Sequence, residues 1–301
     1  MKKFLISLLC ASLLFGCASC SSEKETPKTG ESNEEASIPS ENVSKDEPSS
    51  ADVSEEPSEE ISAEESEIPA SPINVLFVGN SFTYYNDLPV IFENVVNSAG
   101  IEANVQSVTV GSARLEWFND PSQSISKDFT KAIDGTVFDL VFLQEHSTRP
   151  YKDYDAFSAG ITALCGRIRE KSPDADIVLY ETWGFNENYS SLKNEKMTTE
   201  EQEALLLEAY AKAGKEHSLK VSYAGMAHLA VYRETEYDPY HTDLKHPSYI
   251  GSFASALTHF YTLFPGAARD SVTFRGELSE KEFEDISQIA YNVAHDDSIG
   301  G

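Results

Sequence analysis

A serine set off by a glycine at the end of an apolar run is the first residue of this chain that could do chemistry. Residues 73–78 have the length and branched-residue content of a strand buried on both faces. Gly79-Asn80-Ser81-Phe82-Thr83 follows, and apolar residues then recur at helical spacing over 88–97. Ser81 is therefore expected on a strand-to-helix turn, where open α/β sheets gather reacting groups because strand carboxyl ends and helix amino ends meet there. Asn80 and Ser81 could equally cap that helix, the commonest use of such residues. Three other segments carry polar groups with chemistry to offer: Gly111-Ser112-Ala113, Gln144-Glu145-His146-Ser147 and Asp243-Leu244-Lys245-His246-Pro247-Ser248. Asp238, His241, Asp243 and His246 also fall close together, but they lack the i, i+4 helical pair or the Cys pair of a strong metal motif. No metal or other cofactor is expected.

The elements that must position these groups are legible as alternating periods. Apolar β-rich runs occur at 73–78, 103–110, 138–143, 176–180 and 220–223, and helical patterns at 88–98, 154–170 and 199–217, with closing helices at 249–264 and 280–295. Such alternation predicts a three-layer α/β/α sandwich around a mostly parallel sheet, with residues 73–301 as one domain. All four polar segments then fall at one edge of the sheet. Gly111 would let the backbone turn and aim an N–H at a neighbour, and Pro247-Ser248 suits a helix start.

Gly79-Asn80-Ser81-Phe82-Thr83, the isolated Gly111, the polar block after the third strand and Asp243-x-x-His246-Pro247 resemble, in order and spacing, the blocks of the SGNH (GDSL-like) hydrolases. The resemblance spans nearly all of 73–265. It implies Ser81 as nucleophile, His246 as the general base that takes its proton, and Asp243 as the carboxylate that orients the imidazole. A serine hydroxyl needs such a relay to attack at neutral pH. It further implies an oxyanion hole made by the N–H groups of Ser81 and Gly111 and a side-chain amide. Two positions depart from the family pattern. Asn80 stands where an acidic residue is common, and Gln144-Glu145-His146-Ser147 replaces a Gly-x-Asn-Asp motif, so Gln144 is the expected third donor.

The N-terminus suggests an address. Met1-Lys2-Lys3 followed by an apolar stretch to Phe15 reads as a bacterial export signal over 1–20, and Leu14-Phe15-Gly16-Cys17 resembles a lipobox with Cys17 as the lipidated residue. Cys20 is the alternative, as is an ordinary cleaved signal. From 21 to 72 the chain holds sixteen acidic residues against three lysines and almost no large apolar side chains. Such a segment cannot offset its ordering entropy, so it reads as a self-repelling, extended tether that holds the domain off the membrane. The formal net charge is −27 and the remainder of the chain is acidic too, which disfavours nucleic-acid partners and contact of the domain with anionic lipid. The membrane is expected to be met only through the lipid anchor, at the extracytoplasmic face of the cell envelope.

Cys165, in the helical apolar series Phe157, Ile161, Leu164, Ile168, is expected to be a core thiol, and no disulfide framework can be proposed. His217 and His228 read as structural or solvent-facing. Asn80, Trp117, His146 and Trp183 are expected substrate contacts at the active edge, the tryptophans offering faces to a sugar or acyl group, although each could be an ordinary core aromatic. Arg114 and Arg149 could hold an anionic group. The function implied is a serine esterase acting on O-acyl, in particular O-acetyl, esters of a small molecule or glycan. A non-catalytic glycan-binding protein on the same scaffold and an O-acyltransferase are the alternatives.

Overall fold

The computed structural model describes residues 71–300; the expected signal segment, Cys17 and the tether up to residue 70 lie outside the described residues. Five parallel strands form one sheet: β1 (Ile73–Gly79), β2 (Ala103–Thr109), β3 (Leu140–Leu143), β4 (Asp176–Tyr180) and β5 (Lys220–Ser222). The helices are α1 (Ser81–Tyr84), α2 (Leu88–Ser98), α3 (Leu115–Asn119), α4 (Ser124–Gly135), α5 (Arg149–Lys152), α6 (Tyr154–Lys171), α7 (Ser190–Glu195), α8 (Thr199–His217), α9 (Ala224–Glu234), α10 (Tyr249–Leu263) and α11 (Glu280–Ala294).

The pleat of β1 sorts its side chains into two cores. Val75 and Phe77 enter a cluster with Phe92 of α2, Phe253 and Phe260 of α10 and Ile286 of α11. Leu76 and Val78 enter another with Phe118 of α3, Phe129 of α4, Leu164 of α6 and Tyr210 of α8. The sheet is thus sandwiched between two helical layers, as expected, and Cys165 is buried in the second of them.

Besides the short α1, α3, α5 and α7, two longer helices, α4 and α9, do not show in the periodicity. In α4 only Ile125, Phe129 and Ile133 form the buried apolar stripe, diluted by Ser, Lys and Asp. In α9 much of the buried face is Ala and Gly, which pack closely but carry little hydrophobic signal. β3 begins two residues later than expected, because Phe138 turns its N–H to Ser172 Oγ at 2.9 Å before the ladder starts.

The strand order is β2-β1-β3-β4-β5. The chain steps from β1 to one side and then crosses to the other, so the order reverses between β1 and β3. In open parallel sheets a crevice opens at the carboxyl ends of the strands at such a point. Ser81 leaves β1 there, and Gln144 leaves β3.

Candidate active site

The turn that carries Ser81 is built from underneath. Gln144 Oε1 accepts from the Asn80 N–H at 2.8 Å and from Thr83 Oγ1 at 3.0 Å, while its Nε2 donates to the Glu145 carbonyl. Gly79 permits this close approach. A Cβ there would lie 2.4 Å from Thr83 Oγ1 and 2.6 Å from Gln144 Oε1. Asn80 caps α1, its Oδ1 accepting from the Phe82 N–H at 3.1 Å, and its Nδ2 donates to the Ala113 carbonyl at 3.1 Å beyond β2. The cap role thus falls to Asn80 and leaves the Ser81 hydroxyl free for other work.

Two expectations change here. Gln144 is 1% exposed and its long arm folds back beneath the turn, so it holds the serine segment in shape instead of presenting an amide to an oxyanion. Asn80 is equally enclosed and is a cap and a tie between strand ends, not a substrate contact.

His246 closes the arrangement. Its Nε2 stands 2.8 Å from Ser81 Oγ and its Nδ1 2.5 Å from Asp243 Oδ2. Asp243 Oδ1 accepts from the backbone N–H groups of His246 at 3.0 Å and Lys245 at 3.2 Å. Burial raises the carboxyl's pKa, but the hydrogen bonds from the imidazole and from these two N–H groups outweigh it and hold Asp243 at about 2. The loop turns through Leu244 in the left-handed region, φ 69°. It is pinned where the Asn186 N–H meets the Leu244 carbonyl at 3.0 Å and Tyr240 pairs with Pro247. Ser81, His246 and Asp243 thus form a continuous hydrogen-bonded chain, and the imidazole has an ionised partner to stabilise it once charged.

Beyond β2, the left-handed residue is Ser112, φ 59°, not Gly111. The N–H of Gly111 has no acceptor among the described residues, and the Ser81 N–H lies in the first turn of α1, where helical N–H groups lack intrahelical partners. Both N–H groups are thus left without an acceptor among the described residues.

The other expected contacts separate. His146 is half-buried, and burial first, then the neighbouring charges of Arg114, Lys245 and Arg149, lower its pKa. Trp117 packs against the apolar cluster of its own face. Trp183 is 1% exposed, stacked between Phe82 and His228 with both ring centroids at 4.4 Å, so its faces are already covered and it cannot hold substrate. Arg149 is committed to Glu116 at 2.8 and 3.0 Å.

Several buried carboxyls have roles that residue type and spacing do not reveal. Glu145 is buried and accepts from the His146 N–H at 2.6 Å and from the Leu115 N–H at 3.3 Å; burial outweighs these bonds and raises it to about 7. Glu181 and Glu203 are buried; burial raises both, and repulsion from Glu203 raises Glu181 further. The two carboxyls receive N–H groups from Met226 and Gly184, at 3.2 and 2.5 Å. Tyr85 stacks on His246 and carries no signal in the sequence. Among the described residues no group of three or more His, Cys, Asp or Glu converges as a metal site.

No family model matches the sequence, and no curated protein does. Among solved structures, the fold is similar to a candidate SGNH hydrolase from Slackia heliotrinireducens, with a TM-score of 0.55 and 24% identity over 64% of this chain and all of that one. It is also similar to a DUF4886 family protein from Bacteroides uniformis, with a TM-score of 0.62 and 19% identity over 74% of this chain and 94% of that one. The likeness is one of fold: this chain shares its α/β architecture with that candidate SGNH hydrolase and with the DUF4886 family protein.

Proposed function

We propose that the protein is a serine esterase that hydrolyses O-acyl esters through an acyl-enzyme. The observation that carries this is His246, placed at 2.8 Å from Ser81 Oγ and 2.5 Å from Asp243 Oδ2. In the first half-reaction His246 Nε2 takes the serine proton as Oγ attacks the ester carbonyl. The oxyanion is met by the N–H groups of Ser81 and Gly111, and the proton then passes from the imidazolium to the leaving alkoxide. In the second, His246 takes a proton from water, hydroxide adds to the acyl-enzyme, and Ser81 leaves with the proton returned. Asp243 stays ionised throughout, holding the Nδ1–H tautomer.

The substrate we propose is a small acyl group, acetyl in particular, carried on a carbohydrate or cell-envelope glycan. Ser81 is half-buried at the carboxyl ends of the strands, a setting that a small acyl group on a larger carrier can reach. An export signal with lipidated Cys17 and an acidic tether would hold the domain at the outer face of a bacterial membrane, where such glycans occur.

Labelling with a fluorophosphonate, together with hydrolysis of an aryl acetate, tests the chemistry. The wild type is expected to do both, and Ser81→Ala and His246→Ala neither. A wild-type protein inert in both assays would sink the esterase reading. Product analysis with an added sugar acceptor separates hydrolysis from acyl transfer.

A further inference from the structure

Tyr85 lies flat on the imidazole of His246, with ring centroids 4.2 Å apart and planes 5° from parallel. Phe82 meets the same imidazole edge-on at 5.6 Å. Hydrophobic burial alone does not account for the tyrosine, which is only half-buried, and its backbone is followed by a costly turn. Asn86 and Asp87 both adopt the left-handed region, φ 54° and 53°, a conformation that non-glycine residues hold only where their surroundings enforce it. Here the enforcement is visible. Asn86 Nδ2 donates to the Pro247 carbonyl at 3.1 Å and to Ser252 Oγ at 2.9 Å, and Ser252 Oγ donates to the Tyr85 carbonyl at 3.3 Å. The strained turn is thus fastened both to the residue that follows His246 and to α10. The product of that clamp is a tyrosine face laid on the base.

We infer that Tyr85 is a positioning residue for His246. Its ring confines the imidazole to the plane that reaches both Ser81 and Asp243, and its π face stabilises the positive charge that the imidazole carries once it has taken the serine proton. Asn86 is the clamp that keeps Tyr85 there. The catalytic part of this inference rests on the esterase reading above. The stacked face does this work, so phenylalanine should replace tyrosine and an aliphatic side chain should not.

The test measures aryl acetate hydrolysis and the downfield proton resonance of the His246 Nδ1–H in the wild type, Tyr85→Phe, Tyr85→Leu and Asn86→Ala. Tyr85→Phe is expected within about twofold of the wild-type kcat, and Tyr85→Leu about tenfold or more below it with KM little changed. Asn86→Ala, which leaves the ring intact and removes only its clamp, is expected to lose kcat in the same sense. The resonance should be sharp in the wild type and Tyr85→Phe and broadened in Tyr85→Leu. Full kcat together with a sharp resonance in Tyr85→Leu would overturn the inference. A wild type that hydrolyses no ester, yet shows the Tyr85-dependent resonance, would refute the esterase reading and support the positioning role.

Discussion

The indole N–H of Trp183 donates to the Lys245 carbonyl at 2.9 Å, so the segment leaving β4 holds the loop on which Asp243 and His246 sit. Trp183 is itself wedged between Phe82, next to the nucleophile, and His228, whose burial lowers its pKa to about 3 and keeps it neutral. Trp183→Phe preserves most of this stack and removes the hydrogen bond, leaving the Lys245 carbonyl without the indole. A loss of about 1–3 kcal/mol in denaturant unfolding is expected, with a lower kcat as the histidine loop loosens. Unchanged stability and unchanged kcat would show that the loop is held elsewhere.

Gln144 supports the nucleophile turn through one oxygen. Gln144→Leu removes the acceptor of the Asn80 N–H and of Thr83 Oγ1 in a buried setting, and about 1–3 kcal/mol per orphaned group is the expected cost. If Gln144 were instead an oxyanion donor, the variant would keep its stability and lose rate. Measuring the urea midpoint and kcat on the same preparations decides between these roles.

Asp243→Asn replaces a carboxylate by an amide that no longer fixes the Nδ1–H tautomer, and kcat is expected to fall by roughly 10³- to 10⁴-fold with the fold intact. The carboxyl has an ordinary value of 3.8 and is held at about 2 in the folded protein. Its contribution to stability is therefore present above about pH 4 and lost as pH falls toward 2. Circular dichroism over that interval should show wild type and variant converging in stability.

Glu203 and Glu181 shift in the opposite sense. Burial raises both carboxyls above the ordinary 4.5, Glu203 to about 8. The folded state then holds protons that the unfolded chain releases, so stability falls as pH rises from about 4.5 through 8. Glu203→Gln removes one ionisable partner while leaving an oxygen for the Gly184 N–H. Its melting temperature is expected near the wild-type value at pH 5 and above it at pH 8; parallel curves from pH 5 to 9 would refute this.

Gly79→Ala tests how closely the site is built. A methyl group there must enter the space held by Thr83 Oγ1 and the Gln144 amide. The Gln144 amide is hydrogen-bonded on both sides and cannot retreat without orphaning the Asn80 N–H. Overpacking of about 1–3 kcal/mol is expected, read as a lower urea midpoint.

Strand and helix alternation, the parallel sheet and the arrival of Ser81, Asp243 and His246 at one edge were all legible in the sequence. Apolar runs of strand length between helical periods leave few ways to fold, and strand ends follow from connectivity. α4 and α9 were not legible, because a stripe of three apolar residues or a face of Ala and Gly carries too little hydrophobic contrast. The tether and Cys17 rest on composition and motif alone.

What only the tertiary structure decided is the direction of each polar arm and the burial of each aromatic. Gln144, Asn80 and Trp183 all belong to segments that reach the active edge, but whether an amide points into the crevice or beneath the turn depends on what is packed under it. Here that is Thr83 and the backbone of Asn80, brought within 3.0 Å of Gln144 Oε1 because Gly79 has no side chain. Tyr85 is the reverse case. No period marks it, and its place on His246 exists only because Asn86 and Pro247, distant in the chain, are hydrogen-bonded across the two segments of the site. Residue type and spacing settle which groups can react; long-range hydrogen bonds and close packing settle which of them face the substrate.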